Sequence, residues 1–249
     1  MRNLTKLLLM TLLVSSCQTP DSNTLVIGHR GARGHVAENT LASISKAMEL
    51  GVDGVEIDVF RCATGELVVF HDKTLDALTN GTGYIEQMSL DSIKQFLVLG
   101  KEPIPTLNEV MDLIDGTIQL NIELKGTQTA VLTSELIEHY FETSNWEATN
   151  VFISSFDWNE LDQFYKVNKK VAIAVLTEDD PIDAIPVAKR LAAFAINPNY
   201  KSLTQVNVEK IHEAGFMVYP WTVNEPEDIE RMITIGVDAL ITDFPERIR

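Results

Sequence analysis

The feature that most constrains the fold is the alternation of short apolar runs with amphipathic, helix-like segments. Nine apolar runs follow residue 24, and helix-like segments lie between most of them. Such alternation is typical of a parallel sheet covered by helices. The apolar runs are Val26–Gly28, Val55–Val59, Leu67–Phe70, Ile118–Leu124, Val151–Ser154, Val171–Leu176, Ala193–Ile196, Met217–Trp221 and Ala239–Thr242.

Start and stop signals support the helices between these runs. Asn39–Leu50 has apolar residues at helical spacing and is followed by Gly51, a frequent helix stop. Thr106 and Glu109 have the spacing of a capping box, which predicts a helix over Thr106–Ile114. The other predicted helices are Ala130–Phe141, Asn159–Val167, Ile182–Leu191, Val206–Ala214 and Pro226–Ile235.

One of the nine runs does not fit a parallel arrangement. Only a short turn separates the second run from Leu67–Phe70, whereas a parallel return needs a connection of about a dozen residues. We therefore predict a β-hairpin that extends strand two. The remaining eight strands, each followed by a helix or by the chain end, predict an α/β fold of the (β/α)8 TIM-barrel type. The chain of 249 residues has the length of one such barrel.

The N-terminal segment has the layout of a secretory signal peptide. Arg2 and Lys6 precede the apolar run Leu7–Val14, which is too short to cross a bilayer. Residues 14–17 resemble a bacterial lipobox, in which Cys17 becomes the lipidated first residue. The alternative is a plain signal peptide with an unrelated cysteine. We predict a lipoprotein signal peptide over residues 1–16, a polar tether over residues 17–24 and the barrel domain over residues 25–249.

These N-terminal features and the charge of the chain limit where the protein can be located and which partners it can have. The predicted lipid anchor would hold the protein in the cell envelope, on the extracytoplasmic face of a membrane. Gln18 after the cysteine, rather than an aspartate, resembles a sorting signal for the outer membrane. The formal net charge of −16 argues against a nucleic-acid partner, because phosphate backbones are bound by clustered Lys and Arg. No feature of the sequence sets an oligomeric state.

The predicted strands end in polar residues, at the rim where barrel enzymes place their chemistry. Glu56 and Asp58 alternate with apolar residues and so share one face of strand two, and Glu123 lies on the next parallel strand. Three carboxylates facing one cavity repel each other unless a proton or a cation intervenes, and Mg²⁺ or Ca²⁺ favours such oxygen ligands. We predict that all three bind a divalent cation. The alternative is a structural salt bridge of one of them with Arg30 or Lys125.

Basic residues and histidines flank this predicted cation site. Arg30 and Lys125 suit an anionic group, because a guanidinium binds phosphate oxygens in a fork and an ammonium acts as a point charge. His29 and His71 have reference pKa values near neutrality, which suits one to act as a general base and the other as a general acid. We assign no chemistry to four other residues, of which the cysteine is expected to pack near the base of the hairpin. They are His35, His139, His212 and Cys62.

Eight motifs, taken in their order and spacing, resemble the glycerophosphodiester phosphodiesterase family. The resemblance runs from about residue 26 to residue 245, which is nearly the whole chain after the predicted tether. A single His-Arg-Gly motif would be a weak signal, whereas the eight together are specific. The motifs are Gly28-His29-Arg30-Gly31, Glu38-Asn39-Thr40, Glu56-Ile57-Asp58-Val59, Val68-Val69-Phe70-His71-Asp72, Ile104-Pro105-Thr106-Leu107, Ile122-Glu123-Leu124-Lys125, Trp221-Thr222-Val223-Asn224 and Thr242-Asp243-Phe244-Pro245.

The resemblance implies a metal-dependent hydrolase that converts glycerophosphodiesters to sn-glycerol 3-phosphate and an alcohol. It implies that Glu56, Asp58 and Glu123 ligate a divalent cation, either Ca²⁺ or Mg²⁺. It also implies that His29 and His71 form the acid–base pair, with His71 as the general acid toward the leaving alcohol. The substrate would be a small molecule, attacked either by water or by its own neighbouring glycerol hydroxyl.

The resemblance also implies roles for the residues around this centre. Arg30 and Lys125 would bind the phosphate group of the substrate. Trp221 would form a wall of the pocket near the glycerol. Glu38 and Asn39 would support the first loop and the site.

Two alternative functions remain open at this point. Related barrels resemble this one but act as lysophospholipase D or as phosphatidylinositol-specific phospholipase C, and a membrane tether would suit a lipid substrate. The segment from Lys73 to Pro105 contains no long apolar insertion for acyl chains, which favours a water-soluble diester. A non-catalytic binding lipoprotein on the same barrel would be expected to lack one of the two histidines or three carboxylates, and all five are present.

Overall fold

The computed structural model of the protein describes residues 24–249. The predicted signal peptide, the lipidation site Cys17 and the tether as far as Asn23 lie outside these residues. Within residues 24–249, no helix is both long enough and apolar enough to cross a membrane.

Strands and helices alternate along the described part of the chain, as the sequence predicts. The strands are β1 (Leu25–His29), β2 (Gly54–Arg61), β3 (Leu67–Val69), β4 (Leu97–Val98), β5 (Glu102–Pro103), β6 (Gln119–Leu124), β7 (Val151–Ser155), β8 (Ala172–Thr177), β9 (Ala195–Pro198), β10 (Met217–Val218) and β11 (Ala239–Thr242). The α-helices are α1 (Leu41–Glu49), α2 (Leu90–Ile93), α3 (Leu107–Ile114), α4 (Ala130–Thr143), α5 (Trp158–Val167), α6 (Ile185–Arg190), α7 (Gln205–Glu213) and α8 (Pro226–Thr234).

Eight of the strands form one parallel sheet that curls into a nearly closed barrel. Neighbouring strands hydrogen-bond in the order β10, β9, β8, β7, β6, β2, β1 and β11. Backbone hydrogen bonds link the two ends of this order: Asp238 N donates to Val218 O at 3.1 Å, and Ile241 N donates to Pro220 O at 3.0 Å. Val223 N donates in turn to Ile241 O at 2.9 Å. The predicted TIM barrel is therefore confirmed.

Strand β3 is the returning arm of a hairpin, as predicted. It runs antiparallel to β2, with Val69 opposite Val59 and Leu67 opposite Arg61. Between β3 and α3 the chain adds α2, the two-stranded sheet β4–β5 and a 3₁₀ turn, elements too short for the sequence pattern to have predicted. This insertion packs with the hairpin around a second core. Cys62, expected near the base of the hairpin, is buried in this core but lies at the turn, where its N–H donates to Glu66 O at 2.9 Å. The core residues are Ala37, Phe60, Cys62, Val68, Phe70, Leu75, Ile85, Ile93, Val98 and Ile104.

The first barrel helix begins two residues later than the sequence predicts, and this shift matters for the site. Asn39 was expected to open the helix, but it has a left-handed backbone with φ of 55°. Thr40 is extended, and its Oγ1 accepts a hydrogen bond from Ser43 N at 3.1 Å, so Thr40 caps a helix that starts at Leu41. The left-handed turn leaves the Asn39 side chain outside the helix, where it reaches β2.

Several other boundaries differ from the predictions by one or more residues, and one start signal is confirmed. The predicted helix over Ile182–Leu191 is a 3₁₀ turn over Pro181–Ala184 followed by α6. Strand β10 ends at Val218 rather than at Trp221, and Pro220 in this segment has no N–H to donate to a ladder. The capping box of α3 is present, with Thr106 Oγ1 accepting from Glu109 N at 3.2 Å and Glu109 Oε2 accepting from Thr106 N at 2.7 Å.

Apolar side chains fill the barrel interior near the starts of its strands. This cluster includes aromatic rings from β7 and from the segment after β10, and small residues elsewhere make room for them. Because the amino-terminal end of the barrel is packed in this way, the polar groups of the interior gather at the carboxyl-terminal end. The cluster consists of Ile27, Phe152, Ala174, Ala195, Tyr219, Ala239 and Ile241.

Candidate active site

Three carboxylates meet inside the carboxyl-terminal end of the barrel. The parallel register places Asp58 of β2 beside Glu123 of β6, and Glu56 beside Asn121. One oxygen from each of the three acidic residues lies within 4.8 Å of the other two. All three are almost fully buried, with exposures of 4% for Glu56, 1% for Asp58 and 8% for Glu123. The acidic cluster expected from the sequence therefore exists in the fold.

Burial and mutual repulsion make this cluster difficult to ionise. Desolvation, strengthened by the neighbouring carboxylates, raises the pKa of Glu56 well above its usual value and the pKa of Glu123 to about 8. Burial would also raise the pKa of Asp58, but the charges of Arg30 and Lys125 outweigh it and lower that pKa. Both shifts favour the protonated form of Glu56 and Glu123, and binding of a divalent cation would release such protons.

The oxygen atoms of the cluster fit a hard divalent cation. Asp58 Oδ1 is buried and has no hydrogen-bond partner among residues 24–249, while Oδ2 accepts a hydrogen bond from Asn39 Nδ2 at 2.8 Å. A buried carboxylate oxygen without a donor is the type of atom that Mg²⁺ or Ca²⁺ binds. Lys125 Nζ lies 3.8 Å from Oδ1, beyond hydrogen-bond distance. The three carboxylates and this oxygen without a hydrogen bond fit a hard divalent cation, so the residues present can hold such an ion.

The salt bridges considered as an alternative are present as well. Arg30 Nε lies 3.3 Å from Asp58 Oδ2, and Lys125 Nζ lies 3.2 Å from Glu123 Oε1. Two cationic side chains beside three carboxylates leave an excess of negative charge when every group is ionised. The ion pairs and a cation site are therefore compatible.

His29 ends β1, and an aspartate that follows β11 orients it. The distance from His29 Nδ1 to Asp243 Oδ1 is 2.7 Å. Asp243 is itself fixed by Asn224, whose Nδ2 donates to Oδ2 at 2.8 Å and whose Oδ1 accepts from the Asp243 backbone at 2.9 Å. Burial lowers the pKa of His29, and the bond to Asp243 only partly opposes this. A neutral ring that donates through Nδ1 leaves Nε2 as a proton acceptor.

His71 has the same kind of support from its own neighbour in the sequence. Its Nδ1 lies 2.7 Å from Asp72 Oδ1, and its Nε2 lies 3.1 Å from Lys125 Nζ. Burial would lower the pKa of Lys125, but the carboxylates of Glu123 and Asp58 raise it, so the ammonium donates to Nε2. No role was predicted for Asp72 or Asp243 from the sequence. Their positions directly after His71 and directly after the last strand were the available signals.

The loop after β1 is held by the residues predicted to support it. Arg30 has φ of 53°, and its backbone N–H donates to Glu56 Oε2 at 3.0 Å. Glu38 Oε1 lies 2.5 Å from Arg30 Nη1, and its other oxygen lies 2.6 Å from Arg33 Nε. Asn39 N donates to Arg30 O at 3.1 Å. Glu38 and Asn39 therefore hold Arg30 against the acidic cluster.

A cavity of about 290 Å³ opens over these groups. Phe156 and Trp221 form an aromatic side, with ring centroids 5.3 Å apart at an interplanar angle of 90°, and Trp221 Nε1 donates to Asn197 O at 2.8 Å. Arg33, Phe156 and Glu178 also line the cavity, although no role was predicted for them. The full lining is His29, Arg30, Arg33, Glu56, His71, Asn121, Glu123, Lys125, Ser154, Phe156, Leu176, Glu178, Trp221, Thr222 and Ile241.

The histidines that received no predicted chemistry lie away from this cavity. His35 Nε2 is 3.0 Å from Glu246 Oε2, and His212 Nε2 is 2.8 Å from Asp238 Oδ2. His139 lies on α4 and contacts the ring of Tyr140 edge-on. None of the three is among the residues that line the cavity in the described part of the chain.

The fold and the site together define a TIM-barrel enzyme with its reactive groups at the carboxyl ends of the strands. The sequence pattern of the Glycerophosphoryl diester phosphodiesterase family matches residues 29–247. The chain belongs to this family. The family resemblance inferred from the sequence motifs is thus confirmed.

Similar proteins of known sequence or structure agree with this assignment. The chain is 39% identical to a glycerophosphodiester phosphodiesterase of Caldanaerobacter subterraneus over 234 residues, covering 90% of this chain and 96% of that protein. It is 33% identical to a glycerophosphodiester phosphodiesterase of Bacillus altitudinis, with the same coverage. A solved structure of an Oleispira antarctica phosphodiesterase in complex with the product sn-glycerol-3-phosphate has a TM-score of 0.81 and 30% identity, covering 90% of this chain and 94% of that one.

Proposed function

We propose that the protein hydrolyses glycerophosphodiesters to sn-glycerol 3-phosphate and an alcohol by divalent-cation-assisted acid–base catalysis. The observation that carries this proposal is a pair of imidazoles in one cavity, each with Nδ1 held 2.7 Å from an aspartate. The carboxylate cluster lies in the same cavity. The product complex of the similar Oleispira antarctica enzyme supports sn-glycerol 3-phosphate as the product.

The charged residues of the cavity would bind the phosphodiester group. Glu56, Asp58 and Glu123 would hold the cation, Mg²⁺ or Ca²⁺, which when bound polarises phosphoryl oxygens. Arg30 and Lys125 donate hydrogen bonds to the remaining phosphoryl oxygens and offset the charge that builds on them as the bond order at phosphorus changes. The ion pairs of these two residues with the cluster hold both of them at the site before substrate arrives.

His29 has the environment of a general base. Burial lowers its pKa, so the ring is neutral at neutral pH, and Asp243 holds the proton on Nδ1. Nε2 then takes the proton of the attacking oxygen, and Asp243 stabilises the imidazolium that forms. The attacking oxygen belongs to water or to the adjacent glycerol hydroxyl, in which case water opens a transient cyclic phosphate.

His71 has the position of a general acid. Lys125 donates to its Nε2 in the free protein, and a bound phosphate offers Lys125 a stronger acceptor. Nε2 can then carry a proton, and Asp72 stabilises the charged ring through Nδ1. As the bond between phosphorus and the alcohol oxygen breaks, that proton passes to the departing oxygen.

The size and lining of the cavity favour a small diester. A volume of about 290 Å³ is at the lower end of the range for ligand sites. The rings of Phe156 and Trp221 offer apolar contact to the carbon backbone of glycerol. A water-soluble glycerophosphodiester suits this cavity better than a phospholipid that carries long acyl chains.

The decisive experiment measures product release from chelator-treated protein with glycerophosphocholine, glycerophosphoethanolamine and a lysophospholipid. We expect no release without metal, and release of glycerol 3-phosphate from the two water-soluble diesters when Mg²⁺ or Ca²⁺ is restored. Full activity in the presence of chelator would refute the cation requirement. A preference for the lysophospholipid would favour lysophospholipase D activity, and loss of every activity would favour a binding protein.

We also propose that Cys17 is lipidated and holds the enzyme on the extracytoplasmic side of the cell envelope, in the outer membrane. The lipobox-like sequence before Cys17 and the identity of Gln18 support this proposal. Labelling of cells with a radioactive fatty acid should mark the wild-type protein and leave Cys17→Ser unlabelled. Equal labelling of the two proteins would refute the assignment, as would recovery of wild-type protein free in the cytosol.

A further inference from the structure

Asn121 is a buried polar residue in the floor of the cavity that the mechanism above does not use. Its exposure is 1%. Neither its amide oxygen nor its amide nitrogen has a hydrogen-bond partner among the residues that the structure describes. Buried side-chain amides in folded proteins are almost always paired, with protein groups, with ordered water or with an ion. Both polar atoms of Asn121, which lines the cavity, are therefore available to a ligand.

The position of Asn121 identifies which ligand this could be. It lies two residues before Glu123 on β6 and is directly beside Glu56 of β2 in the parallel register. Side chains two residues apart on a strand share a face. Asn121, Glu56 and Glu123 accordingly line the same cavity. An amide oxygen is, after carboxylate, a common ligand of Mg²⁺ and Ca²⁺.

We infer that Asn121 is a fourth residue of the divalent-cation site, with its amide oxygen bound to the cation directly or through one water molecule. This inference rests on the cation of the proposed function. Three carboxylates supply few of the six to eight oxygen atoms that such ions require, so further donors are needed. Asn121 supplies a donor from the floor of the cavity without adding charge to a cluster that is already strongly acidic.

Asn197 on β9 provides a matched comparison. It is also fully buried, and both polar atoms of its side chain also lack a hydrogen-bond partner within residues 24–249. Unlike Asn121, it is not among the residues that line the cavity with Glu56 and Glu123. If burial of an unpartnered amide were the only relevant property, substitution of either asparagine would have the same effect on cation binding.

The test is isothermal titration of Mg²⁺ and Ca²⁺ into chelator-treated wild-type protein, Asn121→Leu and Asn197→Leu. Leucine keeps a similar volume and removes both polar atoms. We expect the cation Kd of Asn121→Leu to rise by about tenfold or more, a typical loss for a metal-site residue, and that of Asn197→Leu to stay within about twofold. A Kd of folded Asn121→Leu within twofold of wild type would overturn the inference.

A second measurement needs no substitution, so it stands even if Asn121→Leu fails to fold. Crystals of wild-type protein with Mn²⁺ give an anomalous map that locates the cation. The inference requires Asn121 Oδ1 within about 5 Å of the ion, the reach of one bridging water. A greater separation would overturn it while leaving the three carboxylates as ligands. A wild-type protein that binds no cation in either experiment would instead overturn the cation of the proposed function as well.

Discussion

Asn39 and Asp58 are joined by two hydrogen bonds that connect the first loop of the barrel to strand β2. Asn39 Nδ2 donates to Asp58 Oδ2 at 2.8 Å, and Asn39 Oδ1 accepts from the Asp58 backbone N–H at 3.2 Å. The left-handed backbone of Asn39 makes this pairing possible, because it turns the side chain away from α1. The pairing occupies Oδ2 and leaves Asp58 Oδ1 without a hydrogen-bond donor within residues 24–249, with Lys125 Nζ 3.8 Å away, so Oδ1 is the oxygen available to the proposed cation.

Replacing Asn39 by glycine should weaken cation binding. Glycine tolerates the left-handed backbone, so the substitution removes the side-chain bonds to Asp58 with little strain on the turn. We expect the Kd for Mg²⁺ or Ca²⁺ to rise by about tenfold to a hundredfold, since residues that orient metal ligands have effects of that size. Titration calorimetry on chelator-treated protein measures this Kd.

Asn145→Gly is the matched control for this experiment. Asn145 makes the same kind of amide–carboxylate bond, from Nδ2 to Asp115 Oδ2 at 2.8 Å, at an exposed position. Its removal should leave the cation Kd unchanged. Equal Kd values for Asn39→Gly and wild type would show that Asp58 needs no orientation.

Substitution of Asp243 by asparagine should reduce turnover and move the acid limb of the pH profile. The uncharged amide no longer stabilises charged His29, and we expect kcat/KM to fall by about a hundredfold to ten-thousandfold. Because Asp243 raises the pKa of His29 against the effect of burial, its loss lowers that pKa further. The acid limb of kcat/KM should therefore shift to lower pH.

The control for Asp243→Asn is Glu246→Gln, which neutralises the acidic partner of the surface histidine His35. Its pH profile should match that of wild type. A shift of the acid limb to higher pH in Asp243→Asn would contradict His29 as the base, because it requires a titrating group that the aspartate does not stabilise.

Much of this site follows from the sequence because its parts lie at strand ends. The alternation of residues in β2 predicts that Glu56 and Asp58 share a face, and the next parallel strand must bring Glu123 beside them. His29 and His71 each follow a short apolar run, so their place at the rim also follows. These relations depend only on strand period and strand order.

Other parts of the site depend on three-dimensional geometry that cannot be predicted from the pattern of apolar and polar residues in the sequence. His29 and Asp243 are 214 residues apart and meet only because β11 pairs with β1. The sequence places Asp243 at the rim but does not show which group it faces. The sequence does not predict the left-handed turn at Asn39 either, because the segment that contains Asn39 has the same apolar spacing as the helix that follows.

Replacement of His71 by alanine should reduce turnover of glycerophosphocholine by at least about a hundredfold, the usual effect of losing a general acid. A glycerophosphodiester of p-nitrophenol should be much less affected, because its leaving group departs without a proton. His29→Ala should be impaired on both substrates, since each needs an activated nucleophile. Steady-state assays of both variants on both substrates make the comparison.

His35→Ala is the control for these histidine variants. His35 is exposed and paired with Glu246, outside the cavity. The His35→Ala variant should keep wild-type rates on both substrates. Equal losses on the two substrates in His71→Ala would contradict its assignment as the acid, and near-normal turnover of glycerophosphocholine would remove it from the mechanism.

Without a cation, the protein should lose stability as the pH rises toward 8. Burial raises the pKa of Glu123 to about 8, so between its ordinary pKa and that value the folded protein binds a proton that the unfolded chain releases. The free energy of unfolding of chelator-treated protein should therefore fall with rising pH, by at most about 1.4 kcal/mol per pH unit for this one group.

The Glu123→Gln variant should show a shallower fall in this free energy. The control variant Glu49→Gln, at an exposed position on α1, should show the same fall as the wild type. Urea unfolding from pH 5 to pH 8 measures the slopes, and addition of Mg²⁺ or Ca²⁺ at pH 8 should restore stability to the wild type far more than to Glu123→Gln. A slope in Glu123→Gln as steep as that of the wild type would show that this carboxyl group is not the one that titrates.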